Sequence, residues 1–96
     1  MIKVVAKHIV KEGKVDEFLK LIHELVVDTN ENHEGCISYE LFQDVQNETF
    51  LTMIETWESK EALDKHMETE SFKRIVPLCG ELMAGPAQLD IYKKVD

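Results

Sequence analysis

Between Ser59 and Glu68 the apolar and polar positions of this chain separate onto two sides of a helix. Ala62, Leu63, His66 and Met67 fall on one side, and Glu61, Asp64, Lys65 and Glu68 on the other. A histidine therefore stands in an apolar stripe and points toward whatever that helix covers. Upstream, Ile2 to Val10 is rich in β-branched residues and partly alternating, which predicts a strand ended by Gly13. Val15, Phe18, Ile22, Leu25 and Val26 then recur at helical spacing, opposite Asp16, Glu17, Lys20, Glu24 and Asp28. This spacing predicts a helix from about Lys14 to Asn32 that stops before Gly35. Cys36 to Asp44 alternates as a second strand and Phe50 to Glu58 reads as a third, with the Gln46-Asn47-Glu48 turn making them a hairpin. The His66 helix, N-capped by Ser59, comes next. A further helix begins near Thr69 or Glu70, with Phe72, Ile75, Val76, Cys79, Leu82 and Met83 on one face. Pro77 lies inside that pattern and should kink or restart the helix, because proline lacks the N–H and clashes with the preceding turn. Gly85-Pro86 ends it, and Gln88 to Val95 forms a fourth strand.

The order β-α-β-β-α-α-β predicts an α+β, ferredoxin-like antiparallel sheet with its helices on one face, a single domain over residues 1–96. The other face poses a problem. The first strand offers Ile2, Val4 and Ala6 on one side and Val5 and Ile9 on the other, and the third sets Leu51 and Met53 against Phe50 and Ile54. A lone copy would expose an apolar sheet face, which a second copy packed sheet to sheet in a two-fold homodimer would cover.

Composition narrows the function classes. The 96 residues are 44% hydrophobic and 31% charged, ordinary for a folded domain, and the net charge is −8. With no basic cluster, nucleic acid and anionic membrane surfaces are poor partners. No apolar run approaches the roughly 20 residues of a membrane span. The chain starts directly in a strand pattern without a signal-peptide core, and Cys36 and Cys79 form no local pairing motif, so the expectation is a reduced, cytoplasmic protein.

His66 and Trp57 carry the most chemistry. Trp57 ends the third strand just before the His66 helix, so an imidazole and an indole N–H reach one volume. The pair suits a small-molecule site, and it equally suits a core histidine bonded to a backbone carbonyl. His8 shares a strand face with Ile2, Val4 and Ala6, and the pattern leaves open whether it meets that volume or the dimer interface. Glu40 and Glu55 lie in paired strands, where an inward carboxylate would have a raised pKa, although a rim position or salt bridge is the commoner fate. Met53, Met67 and Met83 are pocket or core lining, and the cysteines are small buried apolar residues. The histidines show no metal-ligand spacing; His23-Glu24 lacks the second histidine of a zinc-protease helix.

Several segments in order carry a resemblance: Val4-Val5-Ala6; Val15-Asp16-Glu17-Phe18 after Gly13; Glu34-Gly35-Cys36 leading to Tyr39-Glu40-Leu41 and Gln43-Asp44; Glu55-Thr56-Trp57-Glu58-Ser59; Glu61-Ala62-Leu63-Asp64-Lys65-His66; and Leu82-Met83-Ala84-Gly85-Pro86. Together, nearly end to end, they resemble the antibiotic biosynthesis monooxygenase domain family, which forms dimeric α+β barrels. The resemblance implies a homodimer and one of several activities. Some members are cofactor-independent oxygenases of phenolic or quinol-type aromatics, in which a strand tryptophan and a polar helix residue border the pocket; here these are Trp57 and His66. Haem-degrading members use a first-strand asparagine where this chain has His8. A phosphorylated autoinducer-2 isomerase shares the helix histidine but tends to have tyrosine in place of Trp57, and other members have no known reaction.

The oxygenase reading implies dioxygen and a small aromatic as substrates and no cofactor. An electron-rich phenolate can itself donate an electron to dioxygen, so the protein supplies a base, an anion stabiliser and a dry pocket. His66, with an ordinary pKa of roughly 6.5, is the expected base, and the Trp57 N–H the expected donor to an oxyanion. His8, Met53, Met67 and Glu55 are the expected substrate contacts. An isomerase would use the same groups plus a cationic anchor such as Lys7, Lys73 or Arg74. A non-catalytic, ligand-binding dimer would have His66 satisfied by backbone and its cavity filled.

Overall fold

The structure, a computed structural model, describes residues 1–96. The patterned segments form β1 (Ile2–Ile9), α1 (Val15–Asn32), β2 (Cys36–Gln43), β3 (Phe50–Trp57), α2 (Lys60–Met67), α3 (Glu70–Glu81) and β4 (Gln88–Lys93). The strands make one antiparallel sheet in the order β2-β3-β1-β4, the ferredoxin-like arrangement expected from the sequence. Its register decides what meets what. Val4 lies opposite Glu55, Ala6 opposite Met53 and His8 opposite Leu51, while Tyr39 lies opposite Glu55 from the other side. Cross-strand partners share a face, so these residues all project from one side of the sheet, and the helices cover it. Val4, Leu51, Met53 and Trp57 from the sheet and Phe18, Leu25 and Ile75 from the helices are all under 2% exposed.

Local chemistry positions the helices. Asp16 and Glu17 in the first turn of α1 face its positive end. The Ser59 hydroxyl accepts from the Ala62 N–H to start α2, and Thr69 does the same for Phe72 at the start of α3. Thr69 also donates its hydroxyl hydrogen to the His66 carbonyl at 2.6 Å, pinning the corner between the two helices. Gly35 turns the chain between α1 and β2 at φ +83°. A Cβ there would sit 2.4 Å from the Ala62 Cβ, so glycine also allows α2 to approach. That approach brings the end of α1 beside His66.

Three local expectations change. Helix α3 runs unbroken through Pro77 to Glu81. Pro77 is on the exposed side, as is Lys73, whose carbonyl loses its helical partner and is left to water. Strand β4 stops at Lys93, short of Val95, because it is an edge paired only with β1. Strand β2 ends before Asp44, whose side chain accepts from the N–H groups of Gln46 and Asn47 and turns the chain early. No helix is long and apolar enough to cross a membrane. The sheet face away from the helices carries Val5 and Ile54 half-buried, with Ile9, Phe42, Phe50 and Tyr92 each at least 40% exposed.

Candidate functional site

Between the sheet and the helices lies a cavity of about 200 Å³, lined mainly by apolar side chains, among them Val4, Ala6, Met53, Leu63, Met67 and Phe72. Its polar lining is His8, Glu55, His66 and the phenol of Tyr39.

His66 is 1% exposed and caged by rings, with centroids at 4.6 Å for Trp57, 5.0 Å for Phe72 and 5.1 Å for Tyr39. Its Nδ1 lies 2.7 Å from Nδ1 of His33, so the hydrogen bond goes to a side chain rather than to a backbone carbonyl. Nε2 makes no hydrogen bond within the protein, and the residue lines the cavity. The Nε2 of His33 in turn lies 2.9 Å from Oδ2 of Asp28. The Ser71 hydroxyl donates to that same oxygen at 2.6 Å, and the Asn32 amide donates to Oδ1 at 2.8 Å. These donors, Ser71 first, hold the Asp28 carboxyl at about 2. Burial, followed by repulsion from His33 whenever that ring is protonated, pushes His66 down to about 3, far from the near-neutral value expected of an ordinary imidazole.

Glu55 is inward, 5% exposed, and in no salt bridge, so the rim or ion-pair fate does not apply to it. Alternation explains this: two residues before Trp57 on the same strand, it shares the covered face. The Trp57 indole N–H donates to Glu55 Oε1 at 2.9 Å, so that donor is already engaged. Trp57 is a fully buried wall behind Glu55 and His66 rather than part of the cavity surface. Burial pushes the Glu55 carboxyl up to about 7 against the pull of that hydrogen bond. Glu40, by contrast, is exposed on the opposite sheet face, opposite Ile54.

His8 projects from the covered face into the cavity lining, with Nδ1 3.2 Å from the Leu51 carbonyl oxygen and its ring 5.7 Å from that of Phe18. Burial lowers its pKa, and the bonds to backbone oppose this. Met53 and Met67 line the cavity; Met83 packs on the core without reaching it. No lysine or arginine lines it. Lys7 is exposed and alternates onto the uncovered face, Lys73 pairs with Glu68 at 2.9 Å, and Arg74 pairs with Glu24 and Glu70. No group of three or more His, Cys, Asp or Glu side chains is arranged to hold a metal ion. Cys36 and Cys79 are free thiols that burial pushes up to about 11.

Asp28, His33 and Ser71 were not singled out in the sequence. Asp28 reads as one of many acids on the polar side of α1, and nothing local links His33 to His66. The one available signal is a second histidine directly after the helix end, just before a glycine turn.

A family model described as antibiotic biosynthesis monooxygenase matches residues 1–78. An uncharacterised protein of Synechocystis sp. is 35% identical over 84 residues, 88% of this chain, and the chain spans only 56% of that relative's length. The crystal structure of a conserved protein from Methanosarcina mazei Go1 superposes with a TM-score of 0.95 at 40% identity, covering 98% of this chain and 92% of that one. The crystal structure of an antibiotic biosynthesis monooxygenase superposes with a TM-score of 0.95 at 33% identity over 100% of both chains.

Proposed function

The chain belongs to the antibiotic biosynthesis monooxygenase family, and we propose that it is a cofactor-independent monooxygenase acting on a small quinol-like or phenolic aromatic. The observation that carries this reading is the juxtaposition of two acid–base groups, His66 and Glu55, on one apolar cavity without a cationic anchor. At about 200 Å³ the cavity is smaller than the about 300–1,000 Å³ typical of drug-sized ligands, which favours a compact ring system. Oxidation of a quinol releases two hydroxyl protons, and Glu55 and His66 are two acceptors for them on the cavity. Glu55, at about 7, is matched to proton transfer near neutrality. His66 Nε2 takes the other proton. The resulting anion donates an electron to dioxygen, the radical pair joins at a ring carbon, and the O–O bond breaks as water leaves. One quinol bearing a ring C–H and one dioxygen give one hydroxyquinone and one water. Trp57 acts through Glu55, holding the carboxyl in place, and Met53, Met67 and His8 shape the substrate volume.

The functional unit in this reading is one domain over residues 1–96, acting in the cytoplasm as a homodimer that joins the apolar sheet faces of two copies. Val5, Ile54, Phe42 and Phe50 would form the centre of that contact. The isomerase reading wants a cation at the cavity, and Lys7, Lys73 and Arg74 all lie elsewhere. The carrier reading wants a filled cavity and a backbone-bonded His66, and neither is present.

Oxygen uptake with hydroquinones and dihydroxynaphthalenes, using metal-stripped protein, tests the reaction. Uptake above the autoxidation blank is expected. No uptake across the panel, together with turnover of a phosphorylated sugar, would move the site to the isomerase class.

A further inference from the structure

Two imidazole nitrogens facing each other at 2.7 Å share one proton, carried by one ring and accepted by the other. The outer contacts decide which ring carries it at rest. Asp28 is an acceptor only, so Nε2 of His33 donates to it. The Ser71 oxygen, 3.3 Å from the same Nε2, completes that corner while its own hydrogen goes to Asp28. A neutral His33 protonated at Nε2 is bare at Nδ1 and must accept from His66. The His66 proton is then on Nδ1, leaving the lone pair of Nε2 on the cavity side.

We infer that Asp28, His33 and His66 form a proton relay that carries a substrate proton from the cavity to a carboxylate–imidazole pair at the protein surface. The inference rests on the reading of His66 as a proton acceptor. When a substrate O–H bond breaks, its proton bonds to His66 Nε2, and the Nδ1 proton of His66 passes to His33 Nδ1. His66 ends neutral as the other tautomer, His33 becomes an imidazolium beside the Asp28 carboxylate, and the substrate keeps the electron pair as an anion. Running backwards, the same steps return a proton to a product oxygen.

The arrangement answers a difficulty in the site itself. An aromatic cage with 1% exposure is a poor place for a positive charge, so His66 alone is a weak base. The relay places the charge one ring further out. There Asp28 supplies a counterion, and its side chain, 34% exposed, opens on the groove between α1 and α3. Glu55 and the Tyr39 phenol share the cavity with His66 from the sheet, and α2 offers His66 alone. The groove beyond Asp28 is lined by Glu24, Glu70 and Arg74 in mutual ion pairs, and by Lys20, His23 and Glu31. In this role His33 and Asp28 are positioning and proton-storing residues, without contact to substrate.

Nitrogen-15 NMR of the histidine rings in the substrate-free protein tests the relay independently of any reaction. His66 is expected protonated at Nδ1 and bare at Nε2, with a coupling across the hydrogen bond to His33. A wild-type His66 protonated at Nε2 overturns the inference. Asp28→Asn, which can donate as well as accept and has no charge for an imidazolium, is expected to redistribute the His66 proton toward Nε2. In oxygen uptake the same variant should lose about 100-fold in kcat with KM unchanged, and Asp28→Glu should recover part of it. Wild-type kcat in a folded Asp28→Asn protein also overturns the relay. If wild-type protein oxidises no quinol, the proposed reaction fails and the wild-type NMR spectrum still decides the relay.

Discussion

Alternate residues of the same strand meet opposite fates. On β3, Leu51, Met53, Glu55 and Trp57 are each no more than 5% exposed, whereas in the other row Phe50 is 40% exposed, Thr52 and Ile54 are half-buried and Thr56 alone is buried. The covered row contains a carboxyl, and the open row contains large apolar side chains. Both look like errors by the rule that apolar residues go inside. A buried carboxyl or imidazole is costly, and it gains from that burial a pKa that water would not give it. An exposed apolar face is costly until another surface covers it. The two faces therefore differ in kind: one side makes an environment, and in the proposed dimer the other would make a contact.

The largest effect expected from breaking this division is loss of chemistry at the covered face. His66→Ala should reduce oxygen uptake by at least about 100-fold, because the acceptor and the inner end of its hydrogen-bonded chain disappear together. The assembly should survive, since the open face is untouched, and sedimentation velocity checks this. Loss of the dimer in that variant would favour a structural role for the imidazole. On the open face, Ile54→Asp should do the reverse. It sets a carboxylate opposite Val5 and Glu40, where a second copy would have to desolvate it. A folded monomer with unchanged far-UV circular dichroism is the expected product of a dimeric wild type. A monomeric wild type would mean that the open face has some other partner or none.

The faces themselves were legible in the sequence, because strand alternation has a period of two and the helical stripes a period near 3.6. The same periodicity put His66 inward and gave the ferredoxin-like order. It could not phase one strand against another, so the position of His8 needed the register that sets it opposite Leu51. It also could not say what a buried group touches. The pattern allows Glu55 an inward position but favours a rim or salt-bridged one, and its lone Trp57 donor and its lack of a cation depend on three strands assembled side by side. The relay was the least legible part. His33 and His66 belong to segments far apart in sequence, joined only because Gly35 lets α2 close on the end of α1. Pro77 misled for a simpler reason: a helix tolerates proline where the orphaned carbonyl faces water.

A finer prediction concerns the cost of keeping Glu55 on the covered side. Its carboxyl titrates near 7 in the folded protein and near 4.5 in an unfolded chain. Between those values the folded state holds a proton that the unfolded state has released, so stability falls as pH rises from about 4.5 to about 7 and then levels off. The full loss from this one group is about 3 kcal/mol. Glu55→Gln keeps the shape and an acceptor for the Trp57 N–H but cannot ionise. It should therefore be more stable than the wild type at pH 8 by up to that amount, with most of the difference gone at pH 4.5. Urea unfolding of both proteins at the two pH values measures this directly. His66, whose pKa is depressed, destabilises the fold in the opposite direction as pH falls below about 6.5, but it is common to both proteins and cancels in the comparison. A difference independent of pH would mean that Glu55 is solvated or paired in solution, and the covered face would then lack the low-dielectric environment on which its proposed chemistry depends.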